Sequence, residues 1–244
     1  MPQKAPTADL NPPSSRSKPK LKKGTASERN NDTGTTRAKI LAAATREFTE
    51  KGLSGARVDA IAERTGINKQ MIYYYFGNKE GLYQAVLEHS YGHIRMSEAA
   101  VNLDALPPAE ALRQHVRDTF DYHNTHPEFV RLVMNENIHQ GAYIGKLASI
   151  KTRSRTIITT MKKLLDRGAS AGVFRPDIDP VELHMSISAL CFFSVSNRWT
   201  FSCIFDRDLT SRSAVIGRRE VVVDTIMRWC AAEPGKRQRS ASSR

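Results

Sequence analysis

Apolar residues recur at three- and four-residue spacing from Thr36 to Ala231, which is the period of helices that bury one face. Ile40, Ala44 and Phe48 line one face of a first helix over 36–51, and Gly52 stands where it should stop. Two short helices follow within Arg57–Phe76, RVDAIAERTGINKQMIYYYF. Val58, Ile61 and Ala62 form the inner face of the first, Gly66 supplies the turn, and Asn68 can cap the second. Asn78 opens a fourth helix, carrying Leu82, Ala85, Val86 and His89 to about Ala99, and a proline-containing linker over 101–108 ends it. Leu112, Val116 and Phe120 mark a fifth helix over 109–124. Thr125 to Glu128 reads as a capping box opening a sixth through Phe129, Leu132, Val133 and Glu136. A seventh spans about 144–167 and ends in Gly168 and Gly172. Asp179 to Glu182 opens an eighth that runs to about Arg198, apolar nearly all round and so buried on several sides. The last, over 214–231, carries Val215, Val222, Ile226 and Trp229 on one stripe, with Pro234 beyond it. No segment alternates as a strand would. The expected fold class is all-α.

The second short helix of the pair has an unusual outer face. With Ile72 and Phe76 turned inward, Gln70 and Tyr74 fall about 160° and 200° from Ile72. Met71 and Tyr73 flank them, and Lys69 in the first turn can swing outward. Such a face solvates poorly but suits base edges and phosphates in a major groove, which makes Lys69, Gln70 and Tyr74 candidates for reading bases.

The charge pattern agrees. The chain carries 37 Lys and Arg against 25 Asp and Glu, a net charge of +12. Residues 1–35 hold seven basic and three acidic groups, and 235–244 hold four basic and none acidic. The segment 36–80 has eight basic against five acidic, so the long C-terminal stretch is close to neutral. This asymmetry fits a nucleic-acid-binding domain joined to a domain with another task. Residues 1–34 have almost no large apolar side chains and read as a disordered arm, in which Lys18 to Lys23 hold four lysines; 235–244 read as a basic tail. Cys191, Cys203 and Cys230 lack paired spacing, so reduced core thiols in a cytoplasmic protein are expected. The longest apolar run, Ile187 to Val195, is too short to span a membrane, and the N-terminus has no secretory pattern.

Arg37 to Ala44, Phe48, Lys51-Gly52, Val58 to Ala62, Gly66 to Phe76 and Lys79 to Leu82 together resemble the N-terminal domain of the TetR/AcrR family of transcriptional regulators. The resemblance implies a DNA-binding domain over 35–80 and an effector-binding and dimerisation body over 81–234. It implies that Tyr73, Tyr75 and Lys79 hold phosphates beside Met71. The family's Ser or Thr ahead of the second helix is absent here, where Ala56 and Arg57 stand; Arg57 offers a phosphate contact instead. Two helices, 180–198 and 214–231, would pair with a second copy, and the homodimer would bind an inverted-repeat operator on double-stranded DNA. The stretches His126 to His139, Gly172 to Pro180 and Ser196 to Trp199 further resemble regulators of pyrimidine utilisation.

A small-molecule effector is therefore expected, with Phe120, Tyr122, Asn135, Arg198 and Trp199 as its lining, and no cofactor. Arg198 and Trp199 could hold a planar acid, or could be a helix-end arginine and a packed indole. Asn135, Glu136 and Asn137 place polar groups near the core, where the partner is either another helix or a ligand. His89 and His93 have the spacing of two zinc ligands, but Ser90 stands where the zinc-protease motif needs Glu, so a structural pair is the simpler reading. His123 and His126 could line a pocket or cap locally. No nucleophile–base pair or phosphate-binding loop supports an enzyme. The remaining alternative is an architectural DNA-binding protein without an effector, which would not need so large a body.

Overall fold

A computed structural model describes residues 26–232, and the lysines of the arm and the tail 235–244 lie outside these residues. Among the described residues the structure is helical, with a single isolated bridge between Phe174 and Ala231. Helix α1 (Ala26–Gly55) begins well before the expected Thr36, because lengthening an existing helix escapes the nucleation barrier. Gly52 interrupts it at φ 67°, a left-handed conformation costly for any residue with a Cβ, so the regular helix does end at Lys51.

Helices α2 (Val58–Thr65) and α3 (Lys69–Phe76) are joined at a left-handed Gly66. Ile61 and Ile72 are buried against Ile40, Ala44 and Phe48 of α1. Helix α4 (Lys79–Ala99) leaves this core carrying Leu82, Tyr83, Val86 and Leu87 on its inner face, while His89 is exposed. The same core takes in Leu132 and Ile150 from farther along the chain.

Helices α5 (Pro108–Thr125), α6 (Pro127–Ile138), α7 (Ala148–Ser170), α8 (Pro180–Ser196), α9 (Arg198–Phe205) and α10 (Arg212–Cys230) complete the structure. A second core joins Leu112, Val116 and Phe120 of α5, Met161 and Leu164 of α7, Leu183 and Ile187 of α8, and Val222 and Ile226 of α10. Gly168 lies inside α7 rather than after it. A Cβ there would stand 1.9 Å from the Phe174 ring, so the glycine is needed for the following loop to pack down.

Three expectations change. Thr125 does not open α6: its hydroxyl donates back to the Asp121 carbonyl at 2.8 Å, and α6 starts at Pro127 with no side-chain cap. The eighth helix stops at Ser196 rather than near Arg198, and a separate helix, α9, follows, with Trp199, Ile204 and Phe205 exposed. The apolar stripe of α10 is divided, with Val222 and Ile226 turned into the core and Trp229 at the surface. Ile226 is thus a core residue and not an interface residue. Ile226→Ala should lower unfolding stability by about 2–5 kcal/mol, the usual cost of such a cavity, and leave the oligomeric state in sedimentation unchanged.

Candidate nucleic-acid interface and effector region

The outer face of α3 is fixed from beneath. Asn68 accepts a hydrogen bond from the Met71 N–H at 2.8 Å, and the Asn78 side chain accepts one from the Gly81 N–H at 2.7 Å, so both helices after the turns begin with a side-chain cap. Helix α2 has no such cap. Its first turn is held instead by Glu47 of α1, which accepts a hydrogen bond from the Arg57 N–H at 3.2 Å and pairs with Lys51 at 2.9 Å. Burial pushes the Glu47 carboxyl up, but Lys51, the Arg57 N–H and Arg64 more than compensate and hold it below its usual range. Sequence reading missed Glu47; its signal was the four-residue offset to Lys51.

On this support, Gln70, Met71, Tyr73 and Tyr74 project from α3, with Tyr74 79% exposed. Arg57 is exposed at the start of α2. Tyr75 is half-buried, its ring packed edge-on to Tyr74 and tilted against Phe76. Lys79 donates to the Ser54 carbonyl at 3.2 Å, beside the kink in α1. Lys69 is not free: its ammonium lies 2.9 Å from Asp59 of α2 and 5.9 Å from the centre of the Tyr73 ring. The hydrogen bond between them raises the Lys69 pKa and lowers that of Asp59. Any contact of Lys69 with DNA therefore exchanges one anion for another.

The five residues expected to line an effector cavity are not brought together. Phe120 sits in the second core. Tyr122 belongs to a small separate cluster with Ile94 and Phe129, stacks on His126 with ring centres 4.1 Å apart, and lies with its hydroxyl 3.0 Å from His93 Nδ1. Asn135 donates to the Phe48 carbonyl of α1 at 3.2 Å, so its partner is a helix. Trp199 is 63% exposed. Arg198 donates to the Asn124 side chain at 2.9 Å and lines a cavity of about 250 Å³ with Phe193, Phe201 and Arg218. The reason is geometric: Asn135 and Glu136 face α1 and α4, and α9 carries Trp199 outward. Glu136 is buried, accepting from the Tyr83 hydroxyl at 3.2 Å and from the Tyr143 and Ile144 N–H groups at 2.8 Å each.

A different polar cluster lies inside the body. His115, Thr119 and His123 occupy the buried side of α5 along with Leu112, Val116 and Phe120, a four-residue repeat of polar groups that the apolar pattern concealed. Thr119 and His123 bond to carbonyls of their own helix. His115 Nε2, His184 Nδ1 of α8 and Arg95 Nε of α4 are buried without a hydrogen-bond partner. Burial, with added repulsion from His184 and Arg95, pushes His115 down to about 3; burial, Arg95 and His123 push His184 down to about 4. No group of three His, Cys, Asp or Glu among the described residues is placed to hold a metal ion.

A head of capped helices presenting α3, set on an all-helical body, has clear relatives. The family profile described as "Bacterial regulatory proteins, tetR family" matches residues 40–86, and one described as "Tetracyclin repressor-like, C-terminal domain" matches 108–226. The chain belongs to the TetR family. It is 38% identical over 179 residues to the transcriptional repressor NicS of Pseudomonas putida, spanning 73% of this chain and 84% of NicS. It is 27% identical over 150 residues to the regulator RutR of Escherichia coli K12, spanning 62% of this chain and 69% of RutR. The solved structure of SCO4942 from Streptomyces coelicolor covers 80% of this chain and 98% of its own, at a TM-score of 0.60 and 28% identity. TetR proteins bind DNA as regulators and typically act as dimers with small-molecule effectors; the named homologues are transcriptional regulators and not enzymes.

Two measurements test these assignments. Gln70→Ala should cost about 1–3 kcal/mol on the specific site and relax preference at one base per half-site, whereas Asp59→Asn should release Lys69 and strengthen binding to all DNA. Binding titrations across salt would show the second effect as a log–log slope steeper by about 0.9 per added phosphate contact. Independently, His115 and His184 are neutral in the fold and take up protons on unfolding below their ordinary pKa. Their contribution to stability is thus full above about pH 6.5 and declines as pH falls toward 4. Unfolding stability at pH 5 should be lower than at pH 7.5 by on the order of 2–4 kcal/mol, and His115→Gln should remove part of that pH dependence.

Proposed function

We propose that this TetR-family chain is a homodimeric repressor that grips an inverted-repeat operator with two copies of α3 and is released when a small molecule binds its body. The observation that carries the reading is the outer face of α3: four exposed large or amide side chains, Gln70, Met71, Tyr73 and Tyr74, on a helix capped and anchored at both ends. Residues 35–80 act as the DNA-reading head, 81–234 as the effector and dimerisation body, and the basic arm over 1–34 adds sequence-independent attraction in the cytoplasm, where the operator lies. Among the described residues, no helix is long and apolar enough to cross a membrane.

The dimer is supported by what α8 and α10 leave uncovered. Val181, Met185 and Phe193 of α8 and Ile216, Val221 and Trp229 of α10 are exposed, although the opposite sides of the same helices fill the second core. An apolar surface spread over two adjacent helices is what a second copy would cover. A two-fold pair then sets the two α3 helices one helical turn of DNA apart, about 34–36 Å.

The effector reading requires reciprocity: the ligand must bind free protein more tightly than operator-bound protein by the same factor that it weakens the operator. Calorimetry of ligand binding with and without operator tests it, and equal affinities would exclude the release mechanism. For the dimer, Met185→Glu combined with Val221→Glu should give monomers in sedimentation and a loss of operator affinity on the order of a hundredfold or more, since each monomer keeps only half of the contacts. A dimer that survives both charges would place the interface elsewhere.

A further inference from the structure

A cleft of about 640 Å³ opens between the end of α4, the turn that follows it and α7. The volume is in the range of small-molecule sites. Its walls are apolar at Met96, Val101 and Ile157, and two guanidinium groups border it, Arg95 from α4 and the exposed Arg153 from α7. Arg153 lies over Gly92, with its Nη1 2.6 Å from where a Cβ would stand, so the missing side chain lets α7 bring this charge onto α4.

Arg95 connects the cleft to the buried histidines. Its side chain is only 15% exposed, its Nη1 meets Glu98 Oε2 at 2.5 Å, and its Nε has no partner. Its charge reaches His115, His123 and His184 behind it, as well as Tyr91 and Tyr122. The lining holds two carboxylates: Asp104 is paired with Arg167, and Glu98 on Arg95 is one that burial makes unusually easy to protonate. Arg95 Nε and, among the described residues, the whole Arg153 guanidinium have no acceptor. A planar carboxylate meets the guanidinium fork with two parallel bonds, which a neutral amide cannot match.

Resting on the reading of the body as an effector domain, we propose that this cleft takes a small organic carboxylate, whose carboxylate replaces Glu98 on Arg95 while its apolar part lies against Met96, Val101 and Ile157. The displaced Glu98 takes a proton from solvent, so the charge inside the body is unchanged by binding. Because Arg95 stands on the helix that begins directly after α3, pulling it toward α7 acts on the element that carries the DNA-reading face.

The test uses the full chain and three probe acids, benzoate, phenylacetate and hexanoate, each beside its neutral amide. In calorimetry at pH 7.5 at least one acid should bind at the 1:1 stoichiometry, and its amide should bind on the order of ten- to a hundredfold more weakly, as expected for loss of a charged hydrogen-bond pair. Heats measured in buffers of different ionisation enthalpy should report uptake of a proton, acid affinity should fall as pH rises, and Glu98→Gln should remove the uptake. Arg95→Gln should abolish acid binding, with Arg95→Lys recovering part of it. Acids that bind no better than their amides, binding without proton uptake in the unaltered protein, or binding unchanged in a folded Arg95→Gln protein would overturn the proposal. Operator release by a neutral compound alone would overturn the carboxylate assignment and leave the effector reading standing. Specific acid binding through Arg95 that never weakens the operator would support the site and remove its regulatory role.

Discussion

The head of this protein does not close its own core, and much of the structure follows from that. Helices as short as α2 and α3 with part of α1 cannot enclose Phe48 by themselves, and Tyr83 of α4 packs edge-on against it. Leu132 of α6 and Ile150 of α7 complete this core from the body, and polar contacts edge it: Asn135 on the Phe48 carbonyl and Glu136 on the Tyr83 hydroxyl. Small domains bury too little surface to be indifferent to such support. A DNA-reading unit of this size is therefore stable only in the orientation its body allows. That dependence is what makes it controllable.

The same constraint explains why two polar residues of α6, which are open to a ligand-binding reading in sequence, face the head. Glu136 is a carboxylate out of water with three donors on it, so an apolar replacement leaves a hydroxyl and two backbone N–H groups unanswered. It joins α4, α6 and the turn at 143–144 at one point. The polar interior of the second core is built differently. There Thr119 and His123 satisfy themselves on their own helix, while Arg95, His115 and His184 keep unused hydrogen-bonding atoms. One polar network is complete and rigid. The other is unfinished and suited to a visitor.

Much of the fold was legible in sequence because helical spacing and capping residues speak for themselves. Asn68, Asn78 and Asp179 all cap where they stand, and Ile40, Ala44, Phe48, Ile61 and Ile72 are all buried. The exposed arc of α3 followed from Ile72 alone. What failed turned on which of two local or tertiary partners a residue met first. Thr125 has the sequence of a cap, but its hydroxyl found a carbonyl of the preceding helix first. Helix α9 was missed because the eighth helix was read through to Arg198, and α9 carries Trp199 to the surface. Arg95, Glu98, His115 and His184 were overlooked for a simple reason: Arg95 and Glu98 look like surface residues until α5 and α7 pack against α4.

The ion pair between Lys69 and Asp59 bears on how such a protein spends its time among wrong sequences. A lysine that already holds a carboxylate releases few counterions when it slides onto a random phosphate, so a loose encounter gains little from it. On the proposed reading, the pair is worth breaking only where α3 has seated fully and its outer face has met the bases. Each stop on non-cognate DNA is then shorter than the exposed charge of the head would suggest. Across a bacterial chromosome, shorter stops mean more positions sampled in one generation and a smaller share of molecules held at the wrong ones.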